Sequence, residues 1–234
     1  MLIEIMEQLS TFLANSDVTV LLVYLLRAAI ALLCIVSHEL AHGYIALRLG
    51  DDTAQRQGRL TLNPLSHIDP LGLLLMIFAG FGWAKPVPVN MRNFRNPKQG
   101  MAITALAGPA CNLLLAWVAL GLASLIYHFL WVTEASVYIM LLLMYIAVMS
   151  TGLGMFNLIP IPPLDGSKIL FSLLPDRIYA QILRYERYVM LVLFALVFFG
   201  VLDTPLSAMI SWAMKGLCTL TGFPFSMMSY LGVS

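Results

Sequence analysis

The chain has 234 residues, of which 60% are hydrophobic and 11% are charged, and its formal net charge is +1. Soluble domains are roughly half apolar and roughly a quarter charged, so this composition indicates a membrane protein. The nearly neutral charge offers neither the basic excess typical of nucleic-acid binding nor an acidic tail. We therefore expect a protein whose partner is the lipid bilayer and not a nucleic acid.

Five apolar segments are predicted to span the membrane, for which a helix needs about 20 largely apolar residues. They are Val18 to Leu47, Met101 to Tyr127, Ser136 to Met155, Tyr188 to Leu202 and Pro205 to Leu220. Glu4 and Glu7 precede the first segment, and no Lys or Arg does. A cleavable signal peptide begins with a basic region, so the first span is expected to remain in the mature protein.

Basic residues indicate the orientation, because cytoplasmic loops carry an excess of Lys and Arg. They follow the first span, precede the second and separate the third from the fourth: Arg48, Arg56, Arg59, Arg92, Arg95, Lys98, Arg177, Arg184 and Arg187. The opposite ends carry Glu4, Glu7, Asp17, Glu134 and Asp203. This pattern predicts an outside N-terminus, a cytosolic C-terminus and an active site nearer the cytosolic face.

The segment from Asp69 to Trp83 is apolar but lies between two basic loops on one side of the membrane. It is short and rich in glycine, so a re-entrant segment is predicted, and a surface-lying helix is the alternative. The fold class is an all-α polytopic membrane protein with about five transmembrane helices, this re-entrant segment and a small membrane-associated β-sheet. We expect one domain over residues 1–234, with a core at about 18–174 and accessory helices at about 185–222.

The first span contains Ser37-His38-Glu39-Leu40-Ala41-His42. Residues four apart share a helix face, so His38 and His42 can present ring nitrogens to one tetrahedral zinc ion. Glu39 lies beside them as a candidate base for a water molecule. Ionisable side chains inside a membrane are costly unless they serve a function. His38 lies nine residues before Leu47, which predicts a depth of about 14 Å below the cytosolic surface.

A catalytic zinc usually has three protein ligands, so one ligand is still missing. Asp165 follows three prolines that end the third span: Pro160, Pro162 and Pro163. Its predicted position is on the same side of the membrane as the two histidines. The alternative role is a helix N-cap, and the missing ligand favours metal binding. Cys34, one turn before His38, is interpreted as a small buried hydrophobe.

These two motifs, HExxH in an early span and NxxPxPxLDG at Asn157 to Gly166, are found together in one known family. Further shared segments are Asn63-Pro64, His67-Ile68-Asp69-Pro70, Gly82 to Asn90 (GWAKPVPVN) and Gly108 to Asn112 (GPACN). From about Val36 to Leu174 the chain resembles the site-2 protease family of intramembrane zinc metalloproteases. It resembles the short form, without PDZ or CBS domains.

The resemblance implies that His38, His42 and Asp165 bind one zinc ion and that Glu39 is the catalytic base. It implies hydrolysis of a peptide bond in or near a transmembrane segment of another membrane protein, in the manner of regulated intramembrane proteolysis. We expect a multi-pass protein of a prokaryotic cell membrane. A catalytically silent scaffold of the same fold and a metal transporter are the competing interpretations.

Other polar residues in the apolar sequence have two possible roles each. Asn112 and Asn157 could support the transition state or the zinc ligands, or they could join helices; Asn157 could also cap backbone groups near Pro160. His67 is not expected to be a ligand, because the other three suffice. Arg27 is expected to extend toward the membrane surface, with the helix-bundle interior as the alternative.

The segment Lys85-Pro86-Val87-Pro88-Val89 is predicted to be extended. Its prolines remove donors from one edge only, so Lys85, Val87 and Val89 keep theirs on the other edge. That edge could pair with Arg59 to Leu62 or with an unwound substrate strand. The alternative is that the prolines protect an exposed edge against aggregation.

Overall fold

The computed structural model describes residues 18–72, 84–130, 133–175 and 188–233. The described residues are mostly helical. In chain order the α-helices are α1 (Val18–Arg48), α2 (Thr53–Arg56), α3 (Pro97–Phe129), α4 (Glu134–Asn157), α5 (Asp165–Phe171), α6 (Tyr188–Phe198) and α7 (Asp203–Thr221). Short 3-10 helices lie at Pro64–His67, Met91–Asn93 and Phe225–Leu231.

Helices α1, α3 and α4 are long and apolar enough to cross a membrane, which agrees with the first three predicted spans. The last two predicted spans correspond to α6 and α7, which meet at an angle of 83° and together form one broken span or a re-entrant loop. Gly200, with a φ of 69°, lies at this bend. The described residues therefore contain three candidate spans, or four with the bent pair, and the expected five are not confirmed.

Helix α3 lies at the centre and packs against α1, α4, α5 and α7. Its contact with α4 and α7 is built from fully buried residues: Ala116, Leu120, Ala123, Met144, Ala147 and Met214. Small residues let helices approach closely inside a membrane, where van der Waals packing stabilises the bundle. Outward-facing large apolar side chains such as Leu114 and Trp212 suit contact with lipid.

The chain between α2 and α3 contains little regular structure. Residues 85–90 have no regular secondary structure, and the described residues contain one antiparallel bridge, Ile68 with Ala84, but no strand. The predicted β-sheet is therefore not confirmed. The Lys85 amide donates to the His67 carbonyl at 2.8 Å, and the Arg59 side chain, instead of a strand, donates to the Lys85 carbonyl. The core of the predicted re-entrant segment, residues 73–83, lies outside the described residues.

Candidate metal centre

Three buried side chains from two distant parts of the chain meet inside the helix bundle. Helix α1 presents His38 and His42, and the first residue of α5 presents Asp165. The Asp165 Oδ2 atom lies 3.1 Å from His38 Nε2 and 3.0 Å from His42 Nε2, and the two Nε2 atoms are 3.0 Å apart. Among the described residues, this is the group of His, Cys, Asp or Glu side chains able to hold a metal ion.

The three atoms fit a zinc ion. Zinc bonds of about 2.0–2.1 Å in a tetrahedron place neighbouring ligand atoms about 3.3 Å apart, close to the observed separations. Two imidazoles and one carboxylate form a donor set that catalytic zinc sites use. Gly108 of α3 leaves room beside them, because a Cβ there would lie 2.5 Å from His42 Nε2 and 2.6 Å from His38 Cε1.

Two further contacts orient these side chains. His42 Nδ1 donates to the Thr104 carbonyl of α3 at 2.7 Å, which leaves the Nε2 lone pair facing His38 and Asp165. Lys168 Nζ donates to Asp165 Oδ1 at 3.0 Å, so the other carboxylate oxygen points to the histidines. His38 Nδ1 is buried and has no hydrogen-bond partner among the described residues.

Asp165 reaches the histidines because the chain after α4 cannot continue as a helix through Pro160, Pro162 and Pro163. It turns back tightly: a Cβ on Gly166 would lie 2.1 Å from the Leu158 carbonyl oxygen, so glycine alone fits there. Leu164, not Asp165, occupies the N-cap position of α5, and its side chain makes no capping hydrogen bond. The N-cap interpretation of Asp165 is therefore wrong.

Glu39, next to His38 in sequence, is partly buried. Its Oε2 atom accepts a hydrogen bond of 2.7 Å from the Val87 amide in the extended segment. Val87 is itself buried, with 6% of its surface exposed. Two of the three amides predicted for substrate pairing, those of Lys85 and Val87, thus donate to groups of the chain itself.

Four other polar residues were considered from the sequence, and each has different surroundings in the structure. Asn112, one turn after Gly108, is fully buried, and its side-chain nitrogen and oxygen have no partner among the described residues. Asn157 instead donates to the Leu153 carbonyl of its own helix at 3.0 Å. His67 lies away from the metal cluster and bonds the Thr61 carbonyl. The Arg27 guanidinium lies 5.6 Å from the Tyr145 ring centre, on the neighbouring helix α4.

Three groups that orient the candidate metal ligands or make room for them were not predicted from the sequence. Lys168 could have been found, since it follows Asp165 by three residues and shares its helix face. Gly108 belongs to a segment noted for its resemblance, but its closeness to both imidazoles depends on how α3 packs on α1. The Thr104 carbonyl has no signature in sequence, because every residue carries this group.

The chain matches known proteins over most of its length. The profile of peptidase family M50 matches residues 122–200, which include Asp165. YwhC of Bacillus subtilis (strain 168), named as an inferred zinc metalloprotease, is 40% identical over 194 residues, 76% of this chain and 80% of that protein.

Two similarly named proteins are Rip2 of Mycolicibacterium smegmatis and of Mycobacterium tuberculosis. They are 33% and 31% identical, over 62% and 55% of this chain, which covers 55% and 49% of their lengths. No solved structure matches the chain. Its 40% identity across four-fifths of YwhC shows that the chain belongs to peptidase family M50, the site-2 protease family of zinc metalloproteases.

Proposed function

We propose that this protein is an intramembrane zinc metalloendopeptidase that hydrolyses a peptide bond within or near a transmembrane segment of a membrane protein substrate, as in regulated intramembrane proteolysis. The observation that carries the proposal is the buried group His38, His42 and Asp165, with Glu39 adjacent in a helix that is long and apolar enough to cross a membrane. Such a group inside an apolar helix is costly unless it has a function.

His38, His42 and Asp165 would hold the zinc ion, with Thr104 and Lys168 orienting two of these ligands. Bound zinc acts as a Lewis acid toward water and toward the carbonyl of the scissile bond. Glu39 takes a proton from the attacking water and passes it to the leaving amine nitrogen, which is general base and then general acid catalysis by one carboxylate.

Asn112 and Asn157 are proposed as supporting residues for the transition state or the ligands. The stronger support is for Asn112, because its buried amide has no partner among the described residues and lies one helical turn from Gly108. A donor held in a buried site can stabilise a developing oxyanion. The Asn157 amide donates one hydrogen to the Leu153 carbonyl of its own helix, which leaves its other hydrogen and its oxygen for a role at the site.

We also propose that the substrate unwinds and binds as an extended strand beside Lys85, Val87 and Val89. The support is the antiparallel bridge of Ala84 with Ile68, at the start of this segment, and the contact between Val87 and Glu39, which brings the segment to the candidate base. Pairing at Lys85 or Val87 would require exchange of their present hydrogen bonds, and for the Val87 amide such pairing and the contact with Glu39 exclude each other. The protein is proposed to lie in a prokaryotic cell membrane with this site nearer the cytosol, on the basis of the basic loops.

The experiment compares membranes from cells that express wild-type protein or a Glu39→Gln variant. Membrane proteins that remain full-length only with the variant are candidate substrates, and one of them is then cleaved by purified enzyme in detergent. Cleavage by wild type but not by Glu39→Gln is expected. A Glu39→Gln variant that cleaves normally would overturn the proposed function.

A further inference from the structure

Residues 84–90, here named the brace segment, lie against the face of α1 that carries Glu39 and Gly43. The contact between the two is a hydrogen bond of 2.7 Å from the Val87 amide to Glu39 Oε2. Pro86 and Pro88, on either side of Val87, have no amide hydrogen. Within the stretch from Pro86 to Pro88, Val87 is thus the one backbone donor that Glu39 can use.

Gly43 allows the brace segment to lie this close to α1. It follows Glu39 by four residues, so both face the same side of the helix. A Cβ on Gly43 would lie 3.0 Å from Val87 Cγ1 and 2.3 Å from Leu60 Cδ2. A single added Cβ would meet the rotatable ends of the Leu60 and Val87 side chains, whereas a branched side chain such as valine would press on both and push the Val87 amide away from Glu39.

Both ends of the brace segment are fixed by hydrogen bonds. At the first end, the Lys85 amide donates to the His67 carbonyl and the Lys85 carbonyl accepts from Arg59. At the other end, the Asn90 amide donates to Asp51 Oδ2 at 2.6 Å. Asp51 is fully buried, and its Oδ1 atom accepts from Asn93 Nδ2 at 2.7 Å. Asp51 lies three residues after the end of α1, and its amide bonds the Ala46 carbonyl of that helix, so it joins the brace segment to the helix that carries Glu39.

We propose that the brace segment positions the carboxylate of Glu39, with Val87 as the contacting group and with Gly43 and Asp51 as positioning residues that act through it. A glutamate side chain has several rotatable bonds, and a base acts only when held within hydrogen-bond distance of the proton it removes. The Val87 amide holds one carboxylate oxygen and leaves the other for proton transfer. The catalytic meaning of this contact rests on the proposed function of Glu39, whereas the contact itself does not.

The contact can be tested without any substrate. Because Pro86 and Pro88 carry no amide hydrogen, hydrogen exchange measured across residues 86–88 reports Val87 alone. We expect this amide to exchange at least 10-fold faster in Glu39→Ala than in wild type, while the Lys85 amide, bonded to His67, keeps its rate. Equal Val87 rates in both proteins would overturn the proposal, whatever the enzyme cleaves.

The catalytic consequence is tested with Gly43→Val and a matched control, Gly121→Val in α3, where an added Cβ meets no atom within 4 Å. The substrate is a membrane protein found uncleaved with Glu39→Gln. We expect Gly43→Val to lower kcat at least 10-fold with unchanged KM and unchanged zinc content, and to speed Val87 exchange; Gly121→Val should change none of these. If Gly43→Val does not fold, the Val87 exchange rate in Glu39→Ala decides the proposal.

A raised KM with unchanged kcat in Gly43→Val would assign the Val87 amide to substrate pairing instead, which overturns the positioning role and leaves the proposed function intact. A normal kcat together with accelerated Val87 exchange would also overturn it, because the base would then work without the contact. Failure of the wild-type enzyme to cleave any candidate substrate would count against the proposed function, and the exchange result would still decide whether Val87 holds Glu39.

Discussion

Helix α1 carries the two halves of the candidate active site on neighbouring faces, and they are held differently. The metal-binding face, His38 and His42, is enclosed by α3 and α5 and oriented by contacts to Thr104 and Asp165. The face with Glu39 and Gly43 is covered by the brace segment, whose own backbone groups form the hydrogen bonds that fix it. Changes on the first face should therefore remove metal and activity together, and changes on the second should separate them.

The largest effects are expected from substitutions that remove a metal ligand or the candidate base, and these compare the two faces directly. His42→Ala and Asp165→Ala should each abolish cleavage and lose zinc, because two remaining ligands bind it poorly. Glu39→Gln should retain about one zinc ion per chain while cleavage falls by about 10³-fold or more, since the base is lost and the ligands are not. Zinc is measured by elemental analysis of purified protein. Loss of zinc in Glu39→Gln would show that the two halves are not separable.

Gly108→Ala tests the enclosure of the metal-binding face. A Cβ there would lie 2.5 Å from His42 Nε2, so the imidazole must move and the ligand geometry must change. We expect zinc affinity to fall by about 10–100-fold, the range seen when groups supporting metal ligands are altered. Competition with a chelator of known affinity measures this. Gly121→Ala, in open space on the same helix, should keep wild-type affinity.

The pH dependence of stability tests whether ionised Asp51 holds the end of the brace segment. Burial by itself raises the pKa of Asp51, but hydrogen bonds from Thr53, Asn90 and Asn93 outweigh it and hold the pKa below its ordinary value. The contribution of the Asp51 carboxylate to the free energy of unfolding is therefore complete above its ordinary pKa of about 3.9. This contribution is lost as the pH falls through the lower pKa of the folded protein. At pH 7 we expect Asp51→Ala to lower the free energy of unfolding by about 2 kcal/mol, the contribution typical of hydrogen bonds to a charged group.

The measurement for Asp51 is the thermal midpoint in detergent of wild type and Asp51→Ala between pH 7 and pH 3. The difference between the two proteins should shrink at the acidic end. A difference that stays constant over this range would mean that the charge of Asp51 contributes nothing to holding the brace segment.

The substitutions with the smallest expected effect on activity test on which side of the membrane the two halves of the site lie. In a background without the three native cysteines, single cysteines at Gln55, four residues after Asp51, and at Gln99, at the start of α3, should both react with a membrane-impermeant thiol reagent applied from the cytosolic side. Both glutamines are exposed, and activity should stay near wild type. A cysteine at Glu134, beyond the far end of α3, should react from the opposite side. Labelling of Gln55 and Gln99 from different sides would contradict the re-entrant assignment of Asp69 to Trp83.

Span prediction succeeded where a helix is long and continuous, as in α1, α3 and α4, because apolar length alone indicates such helices. It was not confirmed at the C-terminal end, where α6 and α7 have the composition of spans but meet at 83°. Hydropathy measures how strongly each residue type prefers apolar surroundings, and it contains no information on the angle between two helices. The predicted β-sheet illustrates a similar limit, since the Arg59 side chain, and not a neighbouring strand, bonds the Lys85 carbonyl.

The amino-acid sequence by itself determined the membrane class, the helix that carries the site and the placing of His38, Glu39 and His42 along it, because helical periodicity acts over a few residues. Only the tertiary structure decided which Asp165 oxygen faces the histidines, why residue 108 must be small and which group holds Glu39. These contacts join residues far apart in the chain. Two of the groups involved, the Thr104 carbonyl and the Val87 amide, belong to the backbone, so no residue type identifies them before the helices pack.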